Sequence, residues 1–351
     1  MKEERMKILD MLQEGKITAE EAANLMEQIP EKRYMQQEPS VPSIPPVSQV
    51  TQVPPTPSVS QMPQSNDGGL FDWIKGSFLN SGVPRITLDF SSSPVGNGIA
   101  VLRMTGKNDS VSIEGYRGDN IRVHCHYIPI SDVDPQITLK EENGVYELLY
   151  NPDAVKALKI SCRVPMVMID QLHAKSSNGR IKLENIKCSN LEGHTGNAAV
   201  KLEKAKAEKI TFKTTNGKID LEDVEAHSAQ LRTINGKIDL DNADIVNIFA
   251  ETTNGALKFG LVSPADTWAE ERVIDGKTTN GSISLDLPRG LGVKLEASTT
   301  NSQVVCDIQD TIFGEVSRKH INGSNQRYES ADKRINIKLS TTNGAIKVKE
   351  V

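Results

Sequence analysis

Between Leu172 and Phe259, apolar and polar positions alternate along the chain, and the phase of the alternation resets every 19 residues. One apolar column runs through Ile181, Val200, Ile219, Ile238 and Leu257, and a second, two places later, through Leu183, Leu202, Leu221, Leu240 and Phe259. A third passes through Leu172, Leu191, Ile210, Ala229 and Ile248, and a hydroxyl column through Ser176, Thr195, Thr214, Thr233 and Thr252. Alternation with period two is the signature of a strand with one buried face. The phase flips at Asn178, Asn197, Asn216, Asn235 and Asn254, each followed by Gly or Ala, so the chain turns a corner there. Asn and Gly both tolerate positive φ, which such a corner is expected to use, and stacked asparagines can hydrogen-bond in a ladder at about 4.8 Å per step. Ile186, Ala205, Val224 and Ala243 mark a second corner. The pattern predicts an all-β fold, a parallel β-solenoid with two or three sides per coil.

The period then changes. Asn280-Gly281 lies 26 residues beyond Asn254, with the excess around Ser263–Val273, including Pro264 and Trp268. Asn301, Asn322 and Asn343 follow at steps of 21, and Ile274, Leu295, Val316 and Ile337 read as an inward column in this second register. Longer coils are therefore expected to continue the stack, with a loop or bulge at the Asn322 coil, where Asn325 and Arg327 replace apolar residues.

Upstream, residues 84–165 alternate as strands, and Asn143-Gly144 marks a hairpin or a solenoid corner. The solenoid domain is placed at 84–351. Residues 1–33 read as a helical hairpin: Met6, Ile8, Leu9, Met11 and Leu12 form one stripe, Gly15 breaks it, and a capping box at Thr18-Ala19-Glu20-Glu21 starts the second helix. Two short helices bury too little to stand alone, so this unit is expected to dock on a protein partner or on itself. Residues 34–69 read as a disordered Pro/Ser/Gln-rich linker. Residues 70–80 form an amphipathic capping helix, with Leu70, Phe71, Ile74 and Phe78 on one face; its 70–79 stretch is also a candidate for membrane or envelope contact.

Charge narrows the partners. The 351 residues carry 41 basic and 46 acidic side chains, a net −5 without a long single-sign block, and only 4% are aromatic. Nucleic-acid binding is excluded on that basis. Cys125, Cys162, Cys188 and Cys306 form no Cys-x-x-Cys pair, and reduced thiols are expected. The start, Met1-Lys2-Glu3-Glu4-Arg5, is not followed by an apolar run, which predicts a cytoplasmic location, with peripheral association with the membrane or cell surface as the alternative.

Candidate chemistry is sparse. Glu184, Glu203, Glu222 and Asp241 form an acidic stripe, with Asp220 and Asp239 beside it. Such a row could hold cations or serve a polysaccharide-active β-helix enzyme, but Lys182, Lys201, Lys218 and Lys237 flank it, and a salt-bridged face is expected. His124 and His126 share a strand face, with Cys125 on the other, yet two imidazoles do not make a zinc site. His173, His194, His227 and His320 fall in different columns. No catalytic residue, cofactor or metal site is predicted, and the Trp268 loop is left as a candidate contact.

The corners Ser177-Asn178-Gly179-Arg180-Ile181, Thr215-Asn216-Gly217-Lys218-Ile219 and Thr342-Asn343-Gly344-Ala345-Ile346 resemble those of a bacterial adhesin-like β-helix family, a domain of unknown function, over residues 84–351. The segment from Ile8 to Ala22 resembles the short helical hairpin ahead of that domain in YvlB- and LiaX-like proteins of Gram-positive bacteria. The resemblance implies a non-catalytic scaffold or sensor in the cell-envelope stress response, including the response to antimicrobial peptides.

Overall fold

The computed structural model describes residues 85–351, apart from 97, 131–132 and 262–270. The helical hairpin, the linker, the 70–80 helix and the Trp268 loop all lie outside the described residues. Within them are twenty-two strands and one three-residue 3-10 turn at Pro152–Ala154. The fold is a β-solenoid.

Each regular coil has two sides. The side after the Asn corner contains Ile181–Glu184 and stacks in parallel on the first part of Val200–Lys213, which stacks on Ile219–Arg232 and then Ile238–Glu251. The other side contains Met168–Ser176 and Lys187–Thr195, and continues into the second parts of the same long strands. Register is residue for residue at the repeat spacing: Leu183 faces Leu202, Leu202 faces Leu221 and Leu221 faces Leu240. All three apolar columns are buried, so the core is a continuous rod between the two sides. Burial of these columns supplies the main driving force, at roughly 25 cal/mol per Å² of apolar surface removed from water.

The corner works differently from the sequence expectation. None of the corner asparagines from Asn178 to Asn343, and none of the glycines that follow them, has a positive φ; of the ladder residues only Asn108 does, at 54°. Positive φ sits instead at the second corner, on Asn185, Lys204, Asp223 and Asn242, with values of 52–55°. What the Asn-Gly corner requires of glycine is space. A Cβ on Gly236 would lie 1.8 Å from the carbonyl oxygen of Gly217 in the coil below, so stacked backbones approach here too closely for a side chain.

The hydroxyl column explains how the corner is held. The Thr233 hydroxyl accepts from the Gly236 N–H at 3.1 Å and donates to the Gly217 carbonyl at 3.1 Å, tying its own corner to its neighbour. Thr252, Thr278 and Thr341 repeat this arrangement. These hydroxyls are buried, and each satisfies backbone groups that no strand ladder reaches.

Outside them runs the expected asparagine ladder, an unbroken series of Nδ2 to Oδ1 hydrogen bonds of 2.5–2.7 Å. Its order is Asn108, Asn178, Asn197, Asn216, Asn235, Asn254, Asn280, Asn343, Asn301. This order corrects the second register. The coil of Asn343 lies between those of Asn280 and Asn301: Arg334–Thr341 pairs in parallel with both Arg272–Lys277 and Gly292–Thr299. Ile274, Ile337 and Leu295 do form a buried column, in that spatial order. Asn322 belongs to no corner. It lies in His320–Asn325, which pairs antiparallel with Gly292–Thr299 and with Thr311–Val316, and Val316 is 59% exposed. The steps of 21 are thus a coincidence of spacing, since Thr311–Asn325 is a hairpin that closes the stack. Asn325 is buried at this end, accepting from the Val293 N–H at 3.0 Å and donating to the Leu291 carbonyl at 2.8 Å.

The opposite end is also closed by antiparallel strands. Gly98–Gly106 and Asn108–Tyr116 form the Asn108 coil against Met168–Ser176 and Ile181–Glu184. Val155–Pro165 adds in parallel to Asn108–Tyr116, then Asn120–Pro129 and Ile86–Pro94 follow antiparallel. Thr138–Glu142 and Val145–Leu149 make the hairpin at Asn143-Gly144, where both turn residues have positive φ.

Near the break in period, Arg272 is almost fully buried and pairs with Asp244. Burial lowers its pKa to about 10 against the opposing pull of Asp244.

Candidate functional site

The acidic stripe is real in space. Glu184, Glu203, Glu222 and Asp241 face one another across successive coils, and Glu114 extends the row to the Asn108 coil. Lysines thread it. Lys182 bridges Glu184 and Glu203 at 2.6 and 3.0 Å, and Lys201 bridges Glu203 and Glu222 at 2.5 and 3.2 Å. Lys218 joins Asp220 to Asp239 in the same manner. Hydrogen bonds from Lys201 and Lys182 hold Glu203 below the usual carboxylate range, and those to Glu203 and Glu222 raise Lys201. Glu184, Glu203, Glu222, Asp220 and Asp239 thus already serve as partners to lysine, whereas Asp241 has no lysine partner among the described residues.

A different surface lies at the Asn108 end. The outward side chains of four adjacent strands form a small grid there. One row is Ser91, Arg122, Arg163 and Glu114; the next is Asp89, His124, Ser161 and Ser112; a third begins with Thr87, His126 and Lys159. The first two rows line an open groove of about 760 Å³, together with Asn120.

Hydrogen bonds connect the grid. His124 Nδ1 is paired with Asp89, His124 Nε2 lies 2.8 Å from His126 Nε2, and His126 Nδ1 lies 3.0 Å from the Thr87 hydroxyl. Asp89 accepts only, so a neutral His124 carries its proton on Nδ1 and offers the Nε2 lone pair to His126. Desolvation, reinforced by His124, Lys159 and Arg85, lowers the His126 pKa. Asp89, His124 and Ser161 are the residue types of an acyl-transfer triad, but the nitrogen that would activate Ser161 is turned to His126 instead.

Arg122 is held from behind. Its guanidinium lies 5.3 Å from the Tyr116 ring centre, and its Nε donates to Asn120 Oδ1 at 3.1 Å. Asn120 Oδ1 also accepts from the Tyr116 hydroxyl at 2.6 Å. The two Nη groups of Arg122 meet no protein acceptor among the described residues. Arg163, directly opposite Arg122, has Glu114 at 3.4 Å.

The sequence flagged His124 and His126 but not Arg122, Arg163 or Glu114, which come together only through strand pairing. Among the described residues no group of three or more His, Cys, Asp and Glu side chains is placed to hold a metal ion. His173 contacts Glu192 and His320 contacts Glu315, far apart in the stack. All four cysteines are free, and burial pushes the Cys125 and Cys188 thiols up to about 12. No helix among the described residues is long and apolar enough to cross a membrane.

A family model described as Toastrack DUF4097 matches residues 103–349, and one described as a SHOCT-like domain matches residues 3–33. The chain is similar to a solved candidate cell adhesion protein from Clostridium sporogenes ATCC 15579, at 12% identity over 76% of this chain and 100% of that one, TM-score 0.27. It is similar to candidate adhesins from Parabacteroides distasonis ATCC 8503, at 11% identity over 76% and 97%, TM-score 0.39, and from Parabacteroides merdae ATCC 43184, at 10% identity over 76% and 96%, TM-score 0.33. No curated protein matches the chain.

Proposed function

The chain belongs to the Toastrack DUF4097 family, and from that premise we propose that it is a non-catalytic scaffold or sensor in the bacterial cell-envelope stress response. In this reading the solenoid presents a stiff surface whose recognition site is the groove at the Asn108 end, while residues 1–33 dock on a protein partner or a second copy. The 70–79 stretch supplies peripheral membrane or envelope contact for a chain made in the cytoplasm.

The observation that carries this reading is the contrast in how charge is handled. Along the regular coils, Glu203 and Asp239 are tied to lysines of their own and adjacent coils. In the groove Arg122 is stacked and anchored with its outer edge open. A surface of the first kind is finished as it stands, whereas the second is organised to receive something. The polysaccharide-active reading would draw its acids from Glu222 and Asp220, and Lys201 and Lys218 already occupy them.

The test is made in cells. Loss of the protein should change induction of an envelope-stress reporter by a cationic antimicrobial peptide. The full chain should restore it, and a chain carrying Ser161→Trp, which fills the groove from an outward position, should not. An unchanged reporter without the protein refutes the stress-response role; full restoration by Ser161→Trp refutes the groove as its recognition site.

A further inference from the structure

Arg122 and Arg163 stand directly opposite each other on neighbouring antiparallel strands, an arrangement that costs stability because like charges face each other. Elsewhere on the coils Lys213 faces Arg232 and Lys187 faces Lys206 with one carboxylate to each pair, but on the face that carries the acidic stripe the facing lysines are compensated. There Lys182 faces Lys201 across the coils, but each is bridged by glutamates. Between the arginines compensation is partial: Glu114 approaches Arg163, and Arg122 has no carboxylate within ion-pair distance among the described residues.

Arg122 also has the form of a prepared ligand. Its guanidinium carbon lies over the Tyr116 ring and its Nε is tied to Asn120, which restricts a long side chain before anything binds, while the paired Nη donors remain open. A guanidinium fork presented in this way matches the oxygen spacing of an oxyanion. Two forks side by side suit a group with three or four oxygens better than a planar carboxylate, which one fork satisfies. Ser161 and Ser112 line the same groove and add hydroxyl donors.

We propose that the groove over Ile86–Pro94, Asn120–Pro129, Val155–Pro165 and Asn108–Tyr116 is a phosphate-binding site, in which Arg122 and Arg163 clasp the phosphate of a small ligand or of a lipid headgroup. This rests on the groove being the recognition site and names the chemistry it recognises.

The test uses the full chain and two probes: glycerol phosphate in solution, followed by calorimetry, and vesicles of phosphatidylglycerol in phosphatidylcholine, followed by co-sedimentation. Binding of glycerol phosphate identifies a soluble ligand, and binding of vesicles alone identifies a headgroup; both support the site provided the arginines are required. Arg122→Ala and Arg163→Ala should each weaken binding by about tenfold or more, the worth of a hydrogen bond to a charged group. Arg122→Lys, which keeps the charge and loses the fork, should fall between. Melting temperature separates a structural role from a binding one: Arg122→Ala should leave it unchanged or raise it by relieving the facing charges. The proposal is overturned if neither probe binds, if binding survives both alanine substitutions, or if Arg122→Ala lowers the melting temperature while binding is unaltered. Failure to bind either probe, with Ser161→Trp still silencing the cellular reporter, would reject the phosphate and keep the groove.

Discussion

The coils from Asn178 to Asn280 and the antiparallel strands at the Asn108 end are parts of one fold, but they distribute their polar groups in opposite ways. Along the coils every polar device repeats: the glycine that lets backbones close up, the hydroxyl that ties corner to corner, the asparagine ladder, and the lysine between two carboxylates. Along these columns each coil serves the next. At the Asn108 end the repeat has stopped, and the outward residues are Arg, His, Ser and Asp drawn from four separate stretches of chain. Repetition makes a rod whose stacked columns satisfy one another, and a new mixture of side chains becomes available where repetition ends.

The largest test of this contrast is Gly236→Ala. With the Gly217 oxygen 1.8 Å from the added carbon, the corner must open, and a loss of about 3 kcal/mol is expected in denaturant unfolding. The corner of Ala198 already accommodates a Cβ, so Ala198→Gly should change little; equal effects at both sites would mean that close approach is not what selects glycine. Next comes Thr233→Val. It strands the Gly236 N–H and the Gly217 carbonyl in a buried site, at about 2 kcal/mol, whereas Thr233→Ser should be nearly neutral because Ser176 holds the same position. Lys201→Ala should cost less than about 1 kcal/mol despite its short contacts, since partly exposed ion pairs contribute little.

The subtlest difference is in pH. His126 in the folded protein titrates below its ordinary value, so as pH falls through about 6.5 the unfolded chain takes up a proton that the fold resists, and stability is lost until the lower folded pKa is passed. Glu203 is lowered by its lysines, so its contribution is present above the ordinary carboxylate value and is lost only as pH falls through its depressed folded pKa. Protection factors, which correct hydrogen exchange for its intrinsic slowing as pH falls, should therefore drop in residues 120–129 between pH 7.5 and 5.5, while those of residues 200–213 hold. His126→Gln should remove the difference, and simultaneous loosening of both regions would contradict it.

The regular coils are legible in the sequence because stacking at a fixed period writes the same side chain into the same column. Inward Leu202 and outward Glu203 can both be placed from the columns alone. The same logic misleads at Asn322, where equal spacing arises without stacking, because the period of a sequence reports neighbours in space only when each coil follows its predecessor. Positive φ, expected at the Asn-Gly corner, belongs instead to Asn185, Lys204, Asp223 and Asn242, since glycine can be required by crowding as well as by torsion. The groove is the least legible. Asp89, Arg122, Ser161 and Ser112 have no common spacing, and strand pairing alone brings them together.

The interleaved coil imposes an order of manufacture. Residues 292–307 leave the ribosome before residues 335–350, yet the strands Gly292–Thr299 and Val304–Asp307 rest on Arg334–Thr341 and Ile346–Glu350. The growing rod can add coils as they emerge as far as Ile283–Leu287, and then must hold two strands in waiting until a later segment slips in beneath them. Completion of that end therefore follows synthesis of residue 350, and a nascent chain halted near residue 330 would carry a stalled, open end.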